Sequence, residues 1–138
     1  MAHSARFGAV LILAILIFAG GCSRQRKETA ITPEGRAYVK QLQLSDVGMQ
    51  ATDNLARQTL TEIEGNIKNT GDRTVNRVEV TCMFYDYSGK PLYQERAAMV
   101  KTTLKPGETR RFRLAFDTIP DGWNNQMPQL VIALVVFG

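Results

Sequence analysis

The sequence predicts an all-β sandwich of six or seven antiparallel strands, and three observations carry that prediction. From Ala37 onward the chain falls into short runs, most of which alternate apolar and polar residues at the two-residue period of a strand. Clusters of Gly, Pro, Asn and Asp separate these runs at roughly the spacing of strands in a sandwich. Residues before Ala37 show neither property: an apolar run gives way to a polar, charged stretch. The expected organisation is an apolar N-terminal signal helix over 1–21, a short flexible tether over 22–36 and one β domain over 37–138.

Taken in order, Tyr38 to Val47 is the first candidate strand, with Leu42 and Leu44 on one face, and Met49 to Arg57 reads as a loop. Leu60 to Lys68 places Ile63, Gly65 and Ile67 inward and Glu62, Glu64, Asn66 and Lys68 outward. Asn69-Thr70-Gly71-Asp72 is a tight turn, in which Gly71 is free to take positive φ and Asn69 and Asp72 can bond nearby backbone. Val75 to Tyr85 has the cleanest alternation: Val78, Val80, Cys82 and Phe84 against Glu79, Thr81, Met83 and Tyr85. It ends at Asp86-Tyr87-Ser88-Gly89-Lys90-Pro91, where Gly89 supplies the unusual dihedral. Leu92 to Leu104 returns with a bend or bulge near Ala97-Ala98, and splitting this run would give the seventh strand. After the Lys105-Pro106-Gly107-Glu108 corner, Thr109 to Asp117 turns Phe112, Leu114 and Phe116 inward. A turn-rich connection from Ile119 to Pro128 leads to Leu130–Phe137, which is apolar on both faces and reads as a strand in the middle of a sheet.

The apolar run itself is too short to cross a bilayer. Ala9 to Ala19 is 11 residues, about 17 Å of helix against a hydrocarbon core of about 30 Å. Its end, Phe18-Ala19-Gly20-Gly21-Cys22, resembles the bacterial lipobox, in which small residues precede a cysteine that receives a diacylglyceryl group. That resemblance implies a lipid anchor at Cys22 and an envelope location, facing the periplasm or the exterior. An uncleaved single-pass anchor and ordinary cleaved secretion stay open as alternatives. Cleavage before Cys22 leaves 117 of the 138 residues, the size of one domain. Without Arg6 the 17 basic residues become 16 against 13 acids, so the exported chain carries about +3. The excess is scattered apart from Arg110, Arg111 and Arg113, unlike the dense aromatic-laced stripe of a nucleic-acid protein.

Residue chemistry excludes most catalytic classes. The only histidine is His3, within the signal, so the domain lacks the partner a nucleophilic Cys82 would need. With Cys22 lipidated, Cys82 is a lone thiol, and its strand position marks it as an apolar core residue. No phosphate loop, nucleophile elbow or metal-ligand spacing is present. No catalytic, cofactor-binding or metal-ligating residue is therefore expected. Trp123, on a polar loop, with Arg111 and Arg113, are the candidate contacts to a partner.

The segment Gly65-Asn66-Ile67-Lys68-Asn69-Thr70-Gly71-Asp72, then Tyr85-Asp86-Tyr87-Ser88-Gly89-Lys90, then Leu104-Lys105-Pro106-Gly107-Glu108 and Phe112, resembles the FxLYD-type bacterial envelope domain. The likeness covers about Ile63 to Phe116, with Cys82 and Phe84 standing where the name motif has Phe and Leu. It implies an immunoglobulin-like sandwich, membrane-tethered and without known catalysis, and carries over no functional residue. The expected role is a lipid-anchored envelope module, held to membrane lipid through Cys22, that docks an envelope protein. A solute- or glycan-binding sensor is the alternative.

Overall fold

A computed structural model describes residues 29–53 and 59–138. The predicted signal helix, Cys22, the first part of the tether and Arg57 lie outside the described residues. The described residues form one short helix, α1 (Pro33–Tyr38), a 3₁₀ turn (Val39–Gln41), and six strands: β1 (Leu42–Asp53), β2 (Thr59–Asn69), β3 (Val75–Tyr85), β4 (Pro91–Val100), β5 (Thr109–Phe116) and β6 (Gln129–Phe137). All pairings are antiparallel, in two three-stranded sheets ordered β1-β2-β5 and β4-β3-β6.

The core lies between these sheets. Ile63 and Ile67 of β2, Val78, Val80, Cys82 and Phe84 of β3, and Phe112, Leu114 and Phe116 of β5 are buried, as their alternation dictates. Phe84 meets Phe116 edge-to-face at 5.2 Å, so the two central aromatics lock one sheet over the other. Gly65 is the small residue this packing needs: a Cβ there would sit 2.8 Å from Cζ of Phe112. Leu104 is not part of a seventh strand. It makes an isolated bridge with Val75, closing the corner before β5.

Four expectations need correction. The predicted tether through residue 36 gives way to α1, which starts where Thr32 caps the helix by accepting from the Gly35 amide at 3.0 Å and Pro33 fits its first turn. The first strand consequently begins at Leu42, not Tyr38, and Tyr38 packs its ring edge-to-face on Phe137 at 5.2 Å. The loop expected from Met49 is strand as far as Asp53, paired with β2 from Gly48↔Glu64 to Asp53↔Thr59. Its residues are mostly exposed on both faces, which erases the alternation that announces a strand. Finally, β6 is an edge strand rather than a central one, because β3 occupies the middle of its sheet. The register places Val131 opposite Thr81 and Val136 opposite Arg77, on the outer face, where both valines are exposed.

The bulge expected at Ala97-Ala98 falls at Met99, between Ala98↔Glu79 and Val100↔Val78. It turns Met99 and Val100 inward together.

Candidate functional site

The two turn motifs meet at a single buried side chain. Asn69 is fully buried at the end of β2, and its amide group donates to the carbonyls of Arg73 at 2.7 Å and Leu104 at 3.2 Å. Its Oδ1 accepts from the Tyr38 hydroxyl at 2.8 Å and from the Gly71 amide at 3.1 Å. The Asn69 backbone also exchanges bonds with the corner: its N–H donates to the Glu108 carbonyl and its carbonyl accepts from the Gly107 amide. A buried amide with both ends satisfied fixes geometry at modest net energy and is costly to break. Gly71 serves this hub by space, since it lacks the positive φ expected of it. A Cβ there would lie 2.1 Å from the Tyr38 hydroxyl.

The opposite end gathers the β3–β4 and β5–β6 connections. Asp86 Oδ1 accepts from the Ser88 amide and hydroxyl and from the Lys90 amide, while Gly89 takes φ of 80°. These hydrogen bonds, the Ser88 hydroxyl foremost, lower the Asp86 pKa below its ordinary value. Asp86 bridges to Trp123 through the backbone, and the Asn124 amide donates to the Tyr85 carbonyl. Trp123 is half-buried, 5.5 Å from Phe84 in an edge-to-face contact, so it plugs this end of the sandwich more than it projects from it. Its Nε1 is buried with no hydrogen-bond partner among the described residues. An open recess of about 320 Å³ runs beside it, lined by Thr59, Thr61, Tyr87, Ile119, Trp123 and Asn125 among others. Tyr87 stands beside this recess at 77% exposure.

Arg111 and Arg113 are far from free. Both project from the outer face of β5 and form a ladder with β2: Arg111 pairs with Glu64 at 2.5 Å and Arg113 pairs with Glu62. Arg113 also stands 3.9 Å from Glu64. The hydrogen bond and charge of Glu62 raise the Arg113 pKa further. Arg111 borders an open polar recess of about 390 Å³ with Asp46, Gly48, Gln50, Glu64 and Asn66. The structure thus brings the two arginines together on one sheet face and leaves Trp123 at the end of the sandwich.

On the outer face of the other sheet, Glu79 sits between Arg77 and Arg96 at 2.6 and 2.5 Å. Arg96 is only 13% exposed and also donates to the Thr29 carbonyl at 2.6 Å. Thr29, four positions ahead of α1, is therefore tied to this face. Burial works to raise the Glu79 pKa, but the bonds from Arg77 and Arg96 outweigh it and lower the pKa overall. Neither this cluster nor the sheet face around it was legible in the sequence. Among the described residues no three His, Cys, Asp or Glu side chains gather as a metal site, and no helix is long and apolar enough to cross a membrane.

No curated protein matches the chain. Among solved structures, it is similar to the structural-genomics target SoR45 at 13% identity and a TM-score of 0.46, over 71% of this chain and 86% of that one. It is also similar to a Bordetella pertussis protein provisionally named ApaA, at 17% identity and a TM-score of 0.42, over 70% and 90% of the two chains. The family model described as a protein of unknown function, DUF2393, matches residues 37–131, and the chain belongs to that family.

Proposed function

We propose that this chain is a lipid-anchored bacterial envelope protein whose β domain works as a non-catalytic interaction or structural module. One observation carries the reading: an 11-residue apolar run is followed by Gly20-Gly21-Cys22, and a β domain whose first strand starts at Leu42 follows that cysteine by twenty positions. The sheet order supports the finer fold label. With β1-β2-β5 as the A-B-E sheet and β4-β3-β6 as the C′-C-F sheet, the arrangement is immunoglobulin-like. The resemblance to FxLYD-type envelope domains points the same way, and the Asn69 hub gives its shared turn motifs a structural purpose. A closed core beside the edge strand β1, which pairs on one side only among the described residues, favours docking over ligand capture, since such an edge offers backbone to a partner strand.

The test is the mass of the native N-terminus after expression in a bacterial host, beside Cys22→Ala. The expected chain begins at an acylated Cys22 and fractionates with membranes, and the variant is neither acylated nor retained. An intact, unacylated start at Met1 sinks the anchor. Cross-linking of the tagged protein in detergent-solubilised envelopes then tests the module: a reproducible protein partner is expected, and repeated failure to find one counts against docking.

The recess beside Trp123 and Tyr87 favours a second reading, a solute- or glycan-binding sensor. Trp123 is the chain's one tryptophan, so its fluorescence reports directly on occupancy. A saturable emission shift with oligosaccharides, lost on Tyr87→Ala, supports the sensor, and a flat titration removes it.

A further inference from the structure

We infer that the outer face of the β4-β3-β6 sheet rests on the membrane surface, with anionic phospholipid headgroups as its occupant. This inference rests on the lipid anchor proposed above and adds an orientation to it. The Thr29 carbonyl is held by Arg96, whose own Nε is bound to Glu79 on that face. Seven residue steps separate Cys22 from Thr29, and a fully extended chain of that length reaches about 25 Å at most. Two sheets about 10 Å apart, with side chains on both outer faces, make a body roughly 20 Å deep. Turning the β1-β2-β5 face toward the bilayer would spend nearly the whole reach on passing around the domain. With the β4-β3-β6 face down, the bilayer lies well within that reach.

Side-chain chemistry of the two faces agrees with that orientation. The face of β1, β2 and β5 carries Glu62, Glu64, Asn66, Arg111 and Arg113, a solvated charge ladder. The opposite face carries Val131 and Val136, 45% and 41% exposed, with Thr81 and Met83 between the strands. Its single acid, Glu79, is covered by two arginines, which leaves the cluster with one net positive charge. Arg24, Arg26 and Lys27 in the connecting segment add three positive charges against Glu28. Small apolar side chains ringed by basic residues suit the headgroup layer of an anionic bilayer.

The experiment uses the full acylated chain carrying Val131→Cys, Val136→Cys or Gln50→Cys, the last on the opposite face. Each is reacted with a charged maleimide in detergent and after reconstitution into phosphatidylglycerol-containing vesicles. Cys82 is fully buried and does not compete. All three sites are at the surface, so the variants are expected to fold, and matched melting curves check this. Labelling at 131 and 136 is expected to fall by about tenfold or more in vesicles, with 50 unchanged. Equal labelling of both faces overturns the orientation. Protection in intact cells but not in vesicles also overturns it, because the occupant would then be a protein. Loss of acylation, read by mass, removes the anchor itself, whereas an acylated chain with evenly labelled faces removes this inference alone.

Discussion

The Tyr38 hydroxyl lies 2.8 Å from Oδ1 of Asn69, joining a helix before the first strand to the turn that ends the second. The same hydroxyl accepts from the Arg73 amide at 3.1 Å, so both ends of the β2–β3 turn depend on one oxygen. Tyr38→Phe keeps the ring on Phe137 and removes only these bonds, and is expected to cost about 1–2 kcal/mol. Asn69→Ala also strands the Leu104 and Arg73 carbonyls and should cost about 3 kcal/mol. Urea unfolding of both variants measures the difference, and equal costs would mean that the hub is not centred on Asn69.

Gly71 and Gly48 make a matched pair. An added methyl at Gly71 runs into the Tyr38 ring, whereas at Gly48 it meets nothing within 4 Å. Gly71→Ala is expected to destabilise by about 2–3 kcal/mol as Tyr38 is pushed out, with Gly48→Ala within about 0.5 kcal/mol of the parent. Melting temperatures of the two variants decide the point, and the Tyr38→Phe background isolates the clash with the ring.

Burial, aided by the nearby charge of Glu95, pushes the Cys82 thiol up to about 12. A thiol held so far from ionisation forms almost no thiolate at pH 8. A disulfide reagent added to native protein should therefore leave Cys82 untouched over hours, then titrate it fully in denaturant. Rapid modification of the folded protein would contradict a closed core at this position.

Glu79 governs part of the acid limb. Its folded pKa lies below the unfolded value near 4.5, so its stabilising contribution is complete above that pH and is lost as pH falls through the folded pKa. Glu79→Gln removes the charge at every pH. The variant is expected to melt below the parent at pH 7, with the gap closing as pH falls through the folded pKa and the parent's own carboxylate protonates. A constant gap across that range would assign the effect to packing instead of charge.

Sequence alone revealed the parts of the fold in which one face is buried. β2, β3 and β5 bury every second residue, and their positions and inward faces follow directly from that pattern. β1 escaped detection in its second half because exposure on both faces leaves no period to read. The helix escaped because six residues are too few for a helical stripe, although Thr32-Pro33 is a start signal visible in hindsight. β6 misled in the opposite direction: its valines suit a buried strand, yet Val131 and Val136 face outward. The arginine ladder was visible only as a basic cluster, since its partners Glu62 and Glu64 lie about fifty residues away and meet it through register. The hold of Arg96 on Thr29 spans 67 positions and no local pattern announces it.

Leu42 is the only buried residue of β1, and among the described residues the strand is bonded to its sheet along one side alone. Its amides therefore trade their hydrogens with solvent through a partial opening that costs less than unfolding the whole domain. β2, clasped by neighbours on both sides, exchanges only when the sandwich comes apart. The molecule thus carries a peelable margin in the sheet opposite the one whose Arg96 holds Thr29, and peeling it leaves the aromatic interior sealed.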